Sequence, residues 1–254
     1  MNQSDTNGWN EPQPAQSHPA GYRVHLPASH DWVIYALVGL TVVVYLLQIL
    51  SQYVLGYDLP VGLGVKSRDL IDAGQFWRLL TPVFLHGSIL HIAFNMYALI
   101  SFGRGLVRFF GTSRFLLLYF LGAFGGNVLS YLITPQPSLG ASTAVFGLVA
   151  AEGVFVYRNR FLFGQQYRQI ITNIVMVVGI NLVLGLNPGI DNWGHLGGLL
   201  AGLLFTWFAG PIFKVDGISP NLKLEDQRTP QQVWLAAVVI FGLLAGLALT
   251  RLLF

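Results

Sequence analysis

Leu139-Gly140-Ala141-Ser142-Thr143-Ala144-Val145-Phe146-Gly147-Leu148 sets one hydroxyl at the head of an apolar helix, directly after a turn built from Pro135, Pro137 and Gly140. No charged residue follows until Glu152. About fifty positions later, Asp191-Asn192-Trp193-Gly194-His195-Leu196-Gly197-Gly198 sets one imidazole at the head of a second apolar helix. Polar, titratable side chains inside membrane helices are functional by default. The two stretches therefore predict a helical membrane fold in which Ser142 and His195 meet as a nucleophile–base pair for peptide hydrolysis.

The composition around these stretches agrees. Of 254 residues, 54% are hydrophobic and 10% charged, against about a quarter charged in a typical soluble domain. A soluble core cannot hide that much apolar surface, so the lipid bilayer is the expected solvent. The 29 glycines lie within apolar runs, where they let membrane helices approach closely. A net charge of +3 without a basic block makes nucleic acid an unexpected partner. With no cysteine, disulfides, thiolate metal sites and a cysteine nucleophile are excluded.

Working outward, residues 1–31 are polar and read as a disordered tail, with His18, His25 and His30 as bystanders. The tail lacks the pattern of a signal peptide. The first apolar run, Trp32 to about Leu50, has the ~20 residues a spanning helix needs. The mixed segment from Ser51 to Leu85 is too polar to span and reads as an ordered interfacial loop. Further spans are expected at about Ser88–Leu106, Phe115–Ile133, Ala141–Tyr157, Ile170–Leu186 and Trp193–Phe213. A polar linker, 214–232, precedes a seventh span, Val233 to about Leu253, within 233–254. The expected fold class is an all-α membrane protein, a six-helix transmembrane core at 32–213 plus one appended C-terminal transmembrane helix, seven spans in all.

Arg104, Arg108 and Arg114 follow the second span, and Arg158, Arg160 and Arg168 follow the fourth, while the loops after the third and fifth carry no Lys or Arg. The first pair of loops is then cytoplasmic and the second external. The N-terminus falls inside, and the chemistry opens outward. Lys66, Arg68 and Arg78 in the external loop run against the rule. The lack of an import sequence and the short tails point to a bacterial cell (inner) membrane.

That orientation puts Ser142 and His195 at matching depth, each about one turn inside the external surface. Gly198 and Gly202 lie three and seven positions after His195, on the same helical face. They form a bare track along which a neighbour such as Gly147, Ala150 or Ala151 can pack closely. A serine hydroxyl is a weak nucleophile until a base accepts its proton, and His195 is placed to do so. No carboxylate lies at this depth to make a third member: Asp191 falls in the external loop and Glu152 lies far below Ser142. A Ser-His dyad is expected, with Phe146, one turn from Ser142, packing on the imidazole.

His91 and Asn95, four apart on one helical face, are the expected oxyanion donors, joined by the Ser142 backbone N–H at its helix N-terminus. His86 lies nearer the loop, where it would bind water for the site. Trp77 suits headgroup depth, and Arg78 either reaches phosphates or caps the loop. Interfacial anchoring and support of the site are both open for this pair. A three-imidazole metal site from His86, His91 and His195 has no acidic ligand beside it and no His-Glu-x-x-His motif, so neither a metal nor any other cofactor is expected.

Gly140-Ala141-Ser142-Thr143, the His91-x-x-x-Asn95 helix, Trp77-Arg78, and His195 followed by Gly198-x-x-x-Gly202 together resemble the rhomboid intramembrane serine proteases. The resemblance covers about Trp32 to Phe213, and part of that family carries a seventh helix. It implies a six-helix core with a water-filled cavity open to the outside, Ser142 as nucleophile, His195 as base, and His91 with Asn95 on the oxyanion. It also implies an interfacial loop bearing the Trp-Arg pair, a fifth helix and capping loop that gate lateral access of transmembrane protein substrates, and an aromatic at Phe146 stacked on the histidine. One departure stands out. The family pattern is Gly-x-Ser-Gly, and here Thr143 replaces the last glycine, adding a β-branched side chain where space for the oxyanion site is expected to be short.

The reading is therefore a serine endopeptidase acting on membrane proteins near the external face, at sites where Gly, Pro or small residues weaken the substrate helix. The rival is a catalytically inactive relative that binds transmembrane clients for trafficking or quality control; such relatives usually lack the dyad. A small transporter is disfavoured by the absence of paired intramembrane acids and bases.

Overall fold

The computed structural model describes residues 23–25, 31–218 and 221–253. The expected disorder of 1–22 and 26–30 lies outside the described residues. Helix α1 (Trp32–Leu55) runs five residues past its expected end and stops at Gly56, whose φ of 80° gives the left-handed turn that terminates it. Two short helices, α2 (Leu59–Gly64) and α3 (Arg68–Asp72), and two 3₁₀ turns, Phe76–Leu79 and Thr81–Phe84, build the expected ordered loop.

Helix α4 (Ile89–Ile133) merges the second and third expected spans. The intervening loop is replaced by helix broken only at Gly111 (φ 73°, ψ 165°). Glycine alone adopts that conformation at little cost. Forty-five residues would extend roughly 67 Å as one straight helix, over twice the ~30 Å hydrocarbon core, so the break divides the run into two membrane-length pieces. Helices α5 (Ser142–Arg158), α6 (Tyr167–Leu184) and α7 (Asn192–Ala209) follow, and Gly210-Pro211 ends α7 four residues short of its expected limit.

The all-α expectation needs one correction. The segment read as a polar linker forms an antiparallel hairpin, β2 (Phe213–Ile218) with β3 (Asn221–Asp226), and β1 (Arg23–His25) joins β3 in parallel. The hairpin's alternating polar residues were read as a linker because only one of its faces packs. Buried Phe213 joins Phe109 and Phe155, and Arg114 reaches Asp226 at 2.8 Å. Helix α8 (Pro230–Thr250) then starts with a capping box between Thr229 and Gln232 and Pro230 in its first turn.

The chain is thus mostly helical. Among the described residues, four helical stretches are long and apolar enough to cross a bilayer: Trp32–Leu55, Ile89–Ile133, Gly164–Leu184 and Pro230–Thr250. The core lies where α4, α5 and α7 meet, with α1 adding Val33, Ile34 and Leu37. Bare glycine backbones make this contact. A β-carbon on Gly198 would lie 2.0 Å from the Thr143 carbonyl oxygen, one on Gly202 2.2 Å from that of Gly147, and one on Gly197 2.4 Å from that of Gly125. The first two are the track expected from the sequence. The third shows that α7 is equally close to α4. Helix α6 differs: Ile174 is its one buried residue, and it packs mainly on α5. Helix α8 packs on α4 and α7.

Candidate active site

Ser142 is the first residue of α5, reached through Gly140, whose φ of 130° excludes other L-residues. Gly140 is also needed sterically. A β-carbon there would lie 2.7 Å from His91 Nε2 and 3.8 Å from Ser142 Oγ. The glycine therefore lets the His91 ring lie over the turn beside the serine. His195 sits one turn into α7, whose start is fixed by Asp191 accepting the Gly194 N–H at 2.9 Å. Close packing of α5 on α7 brings His195 Nε2 to 3.0 Å from Ser142 Oγ. The ring of Phe146 stacks on the imidazole at 4.2 Å and 11°.

The tautomers follow from the partners. His91 Nδ1 receives the Gly87 N–H at 3.5 Å, which leaves the proton on Nε2, the atom facing Gly140. If His195 Nε2 is to accept from Ser142, its proton sits on Nδ1. That atom is buried without a protein partner among the described residues. Asp191 does not fill the role, since its carboxylate is used by Gly194 N–H and by the Ser130 hydroxyl. Phe146 holds the ring by stacking instead.

Asn95 uses its amide within its own helix. It is buried, and its Nδ2 donates to the His91 carbonyl at 2.9 Å within the same helix. Trp77 is half-exposed and donates its indole N–H to Leu63 O at 3.0 Å. Arg78 is buried and caps the loop, donating to Gly62 O at 2.7 Å, Val65 O at 2.9 Å and Gln75 Oε1 at 2.7 Å.

Thr143 packs between neighbouring backbones. Its side chain lies away from the serine in a slot between α4 and α7. Its Cβ is 2.5 Å from where a Gly126 β-carbon would sit, and its Cγ2 is 3.1 Å from that position on Gly194. Two bare backbones supply the room that a β-branched residue needs, and Thr143 is almost fully buried there.

Three supporting residues were not foreseen in their roles. His86 is buried, and its Nε2 receives the Ala141 N–H at 3.4 Å, just before Ser142. Burial lowers its pKa to about 4, with His91 adding to the shift. It is thus a neutral acceptor holding the serine turn. Gln48 of α1 brackets His86 by accepting its N–H at 3.0 Å and donating to its carbonyl at 3.1 Å. Lys66 forms a backbone bridge with Ser138, and its Nζ donates to Thr134 O at 3.2 Å and Gln136 O at 2.7 Å. Burial lowers its pKa to about 8, partly offset by Asp191. An amide in the apolar part of α1 and a lone lysine in a loop were the available signals; neither says what it will meet. A cleft of about 590 Å³ lies between segments 134–138 and 185–193, which lead into the helices bearing Ser142 and His195.

The family model described as Rhomboid domain matches residues 73–212. The chain is 39% identical over 169 residues to Rhomboid protease GluP of Bacillus subtilis (strain 168), covering 66% of this chain and 33% of that protein. It is 36% identical over 159 residues to RHOMBOID-like protein 9, chloroplastic, of Arabidopsis thaliana, covering 62% and 37%. RHOMBOID-like protein 5 of the same plant is 31% identical over 213 residues, covering 77% and 69%. The chain thus spans about a third of the length of the first two.

Proposed function

The chain belongs to the rhomboid family, and on that premise we propose that it is an intramembrane serine endopeptidase cleaving transmembrane segments of membrane proteins near the external face. The observation that carries the reading is the 3.0 Å approach of His195 Nε2 to Ser142 Oγ between two helices joined through glycine. In this reading Ser142 Oγ attacks the scissile carbonyl carbon as its proton passes to His195 Nε2. The carbonyl oxygen becomes the oxyanion, met by the Ser142 N–H at the helix start, by His91 Nε2–H, and by Asn95 once it releases the His91 carbonyl. Collapse expels the amine, which takes the proton from His195. Water, deprotonated by the same ring, then hydrolyses the acyl-serine ester.

The weakly held α6 is the proposed lateral gate, since few buried contacts oppose its movement. We retain seven spans, with α4 counted as two about Gly111, and the division into a tail (1–31), a protease core (32–213), a linker (214–232) and a seventh helix (233–254). In this arrangement the N-terminus is cytoplasmic and the site opens outward. A bacterial cell membrane is the proposed location of this integral membrane protein. Among its relatives is also one whose name places it in the chloroplast.

The test is cleavage of a transmembrane reporter in liposomes. Ser142→Ala and His195→Ala should each lower turnover by on the order of 10⁴-fold, and a fluorophosphonate probe should label the wild type but not Ser142→Ala. Unchanged cleavage by either variant would refute the dyad. Retained binding of transmembrane segments by a wild type that cleaves none would favour the client-binding alternative.

A further inference from the structure

A second cavity, of about 880 Å³, lies away from the dyad, between the Phe76–Leu80 turn, the 112–133 half of α4, and α8. It runs along α8 from Trp234 to Leu249, about 22 Å at 1.5 Å per residue, most of the ~30 Å hydrocarbon thickness. Its walls are apolar apart from Ser113. Alanines 237, 245 and 248 hollow the α8 side, and Phe124 stacked on Phe241 at 4.9 Å joins the two helices within it. Polar contacts fix one end. Arg251 pairs with Asp72 at 3.6 Å and lies 5.6 Å over the Tyr131 ring, while Leu79 and Ala248 share a buried cluster.

We propose that this groove is a binding site for one acyl chain of a membrane phospholipid. Both flanking helices qualify as spans, so hydrocarbon is the medium at the groove, and no polar side chain within it asks for a polar ligand. A helical segment is the other candidate occupant. At 10–12 Å across, such a segment could not lie along the same length without parting the Phe124–Phe241 stack that bridges the groove. Tryptophans 77 and 234 line the groove, the residue type that sits at headgroup level. The Arg251 side chain, one-third exposed beyond Leu249, offers a cation to the phosphate.

The groove bears on the serine turn. Its Phe76–Leu80 wall continues into Pro82, whose carbonyl accepts the Gly140 N–H at 2.9 Å, and into His86, which accepts the Ala141 N–H. Asn127 Nδ2 also donates to Leu79 O at 3.1 Å, fastening that wall to α4. A chain seated in the groove therefore supports the loop that holds the residues before Ser142.

The experiment uses the full chain reconstituted with 1-palmitoyl-2-oleoyl phosphatidylethanolamine, extracted into detergent and weighed by native mass spectrometry. Wild type should retain one phospholipid. Val238→Trp and Ala245→Phe, which fill the groove, should each lower its occupancy at least tenfold. Leu243→Phe, on an exposed α8 position outside the groove, should not. Thermal unfolding of each variant checks that it is folded. Equal retention in all variants, or none in wild type, overturns the proposal. So does loss of transmembrane-peptide binding, with lipid retained, in the two filled variants.

Discussion

Gly198→Ala tests the claim that bare-backbone packing creates the reactive pair. The new β-carbon would meet the Thr143 carbonyl oxygen at 2.0 Å and its carbon at 2.9 Å. These are backbone atoms, so no side-chain rotation relieves the clash. Restoring an ordinary contact of 3.4 Å requires α5 and α7 to part by about 1.4 Å. Ser142 and His195 lie within one turn of that contact and are 3.0 Å apart. The same parting carries them beyond about 4 Å, outside hydrogen-bond reach. Misplacement by about 1 Å costs on the order of 10²-fold in rate, and overpacking strain costs about 1–3 kcal/mol. The variant should therefore insert and fold with a lowered Tm, and lose at least 10²-fold in kcat/KM on a transmembrane reporter in liposomes. Fluorophosphonate labelling of Ser142 should slow in parallel. Gly246→Ala in α8, where nothing lies within 4 Å of the added carbon, is the control and should match wild type. A Gly198→Ala enzyme keeping more than a third of wild-type kcat/KM would refute the argument.

Thr143→Gly should empty the slot between Gly126 and Gly194 and place a glycine in a helix, lowering stability by about 2–3 kcal/mol, without raising turnover. A faster enzyme would mean that the threonine obstructs the oxyanion site. His86 gives a pH signature. Its folded pKa of about 4 lies below the unfolded value of about 6.5, so the unfolded chain takes up the proton first as pH falls. Stability present above pH 6.5 should be lost between 6.5 and 4, by up to about 3 kcal/mol. Unfolding midpoints measured across that window should fall in wild type and fall less steeply in His86→Gln, and equal slopes would count against the assignment.

The helices were legible because a bilayer favours long apolar runs and leaves little choice of structure within them. The limits of α5 and α8 fell within three residues of expectation, α1 ran five residues long to Gly56, and Pro230 opens α8 where cap chemistry places it. The break in α4 falls inside the expected interval 107–114, but the interval is helix rather than loop, because helical propensity tolerates its arginines and only Gly111 interrupts the backbone. The β2–β3 hairpin was missed because half of its side chains face outward, and its pairing is a long-range event that local polarity does not reveal. Asn95 illustrates the same limit at the site. Its helical face could be inferred from spacing, but not its choice of the His91 carbonyl as partner.

By itself, the amino-acid sequence determined the membrane medium, the approximate helices, and a short set of polar side chains too costly to place in lipid without a use. Tertiary structure decided which of those groups touch. It brought Ser142 and His195 together, turned Thr143 into the slot between two glycines, gave Arg78 to loop carbonyls, and set His86 behind the serine turn. The division has a physical basis. Hydrophobic length and backbone satisfaction are properties of a single segment, whereas a hydrogen bond of 3.0 Å across two helices depends on which neighbouring backbones carry no β-carbon.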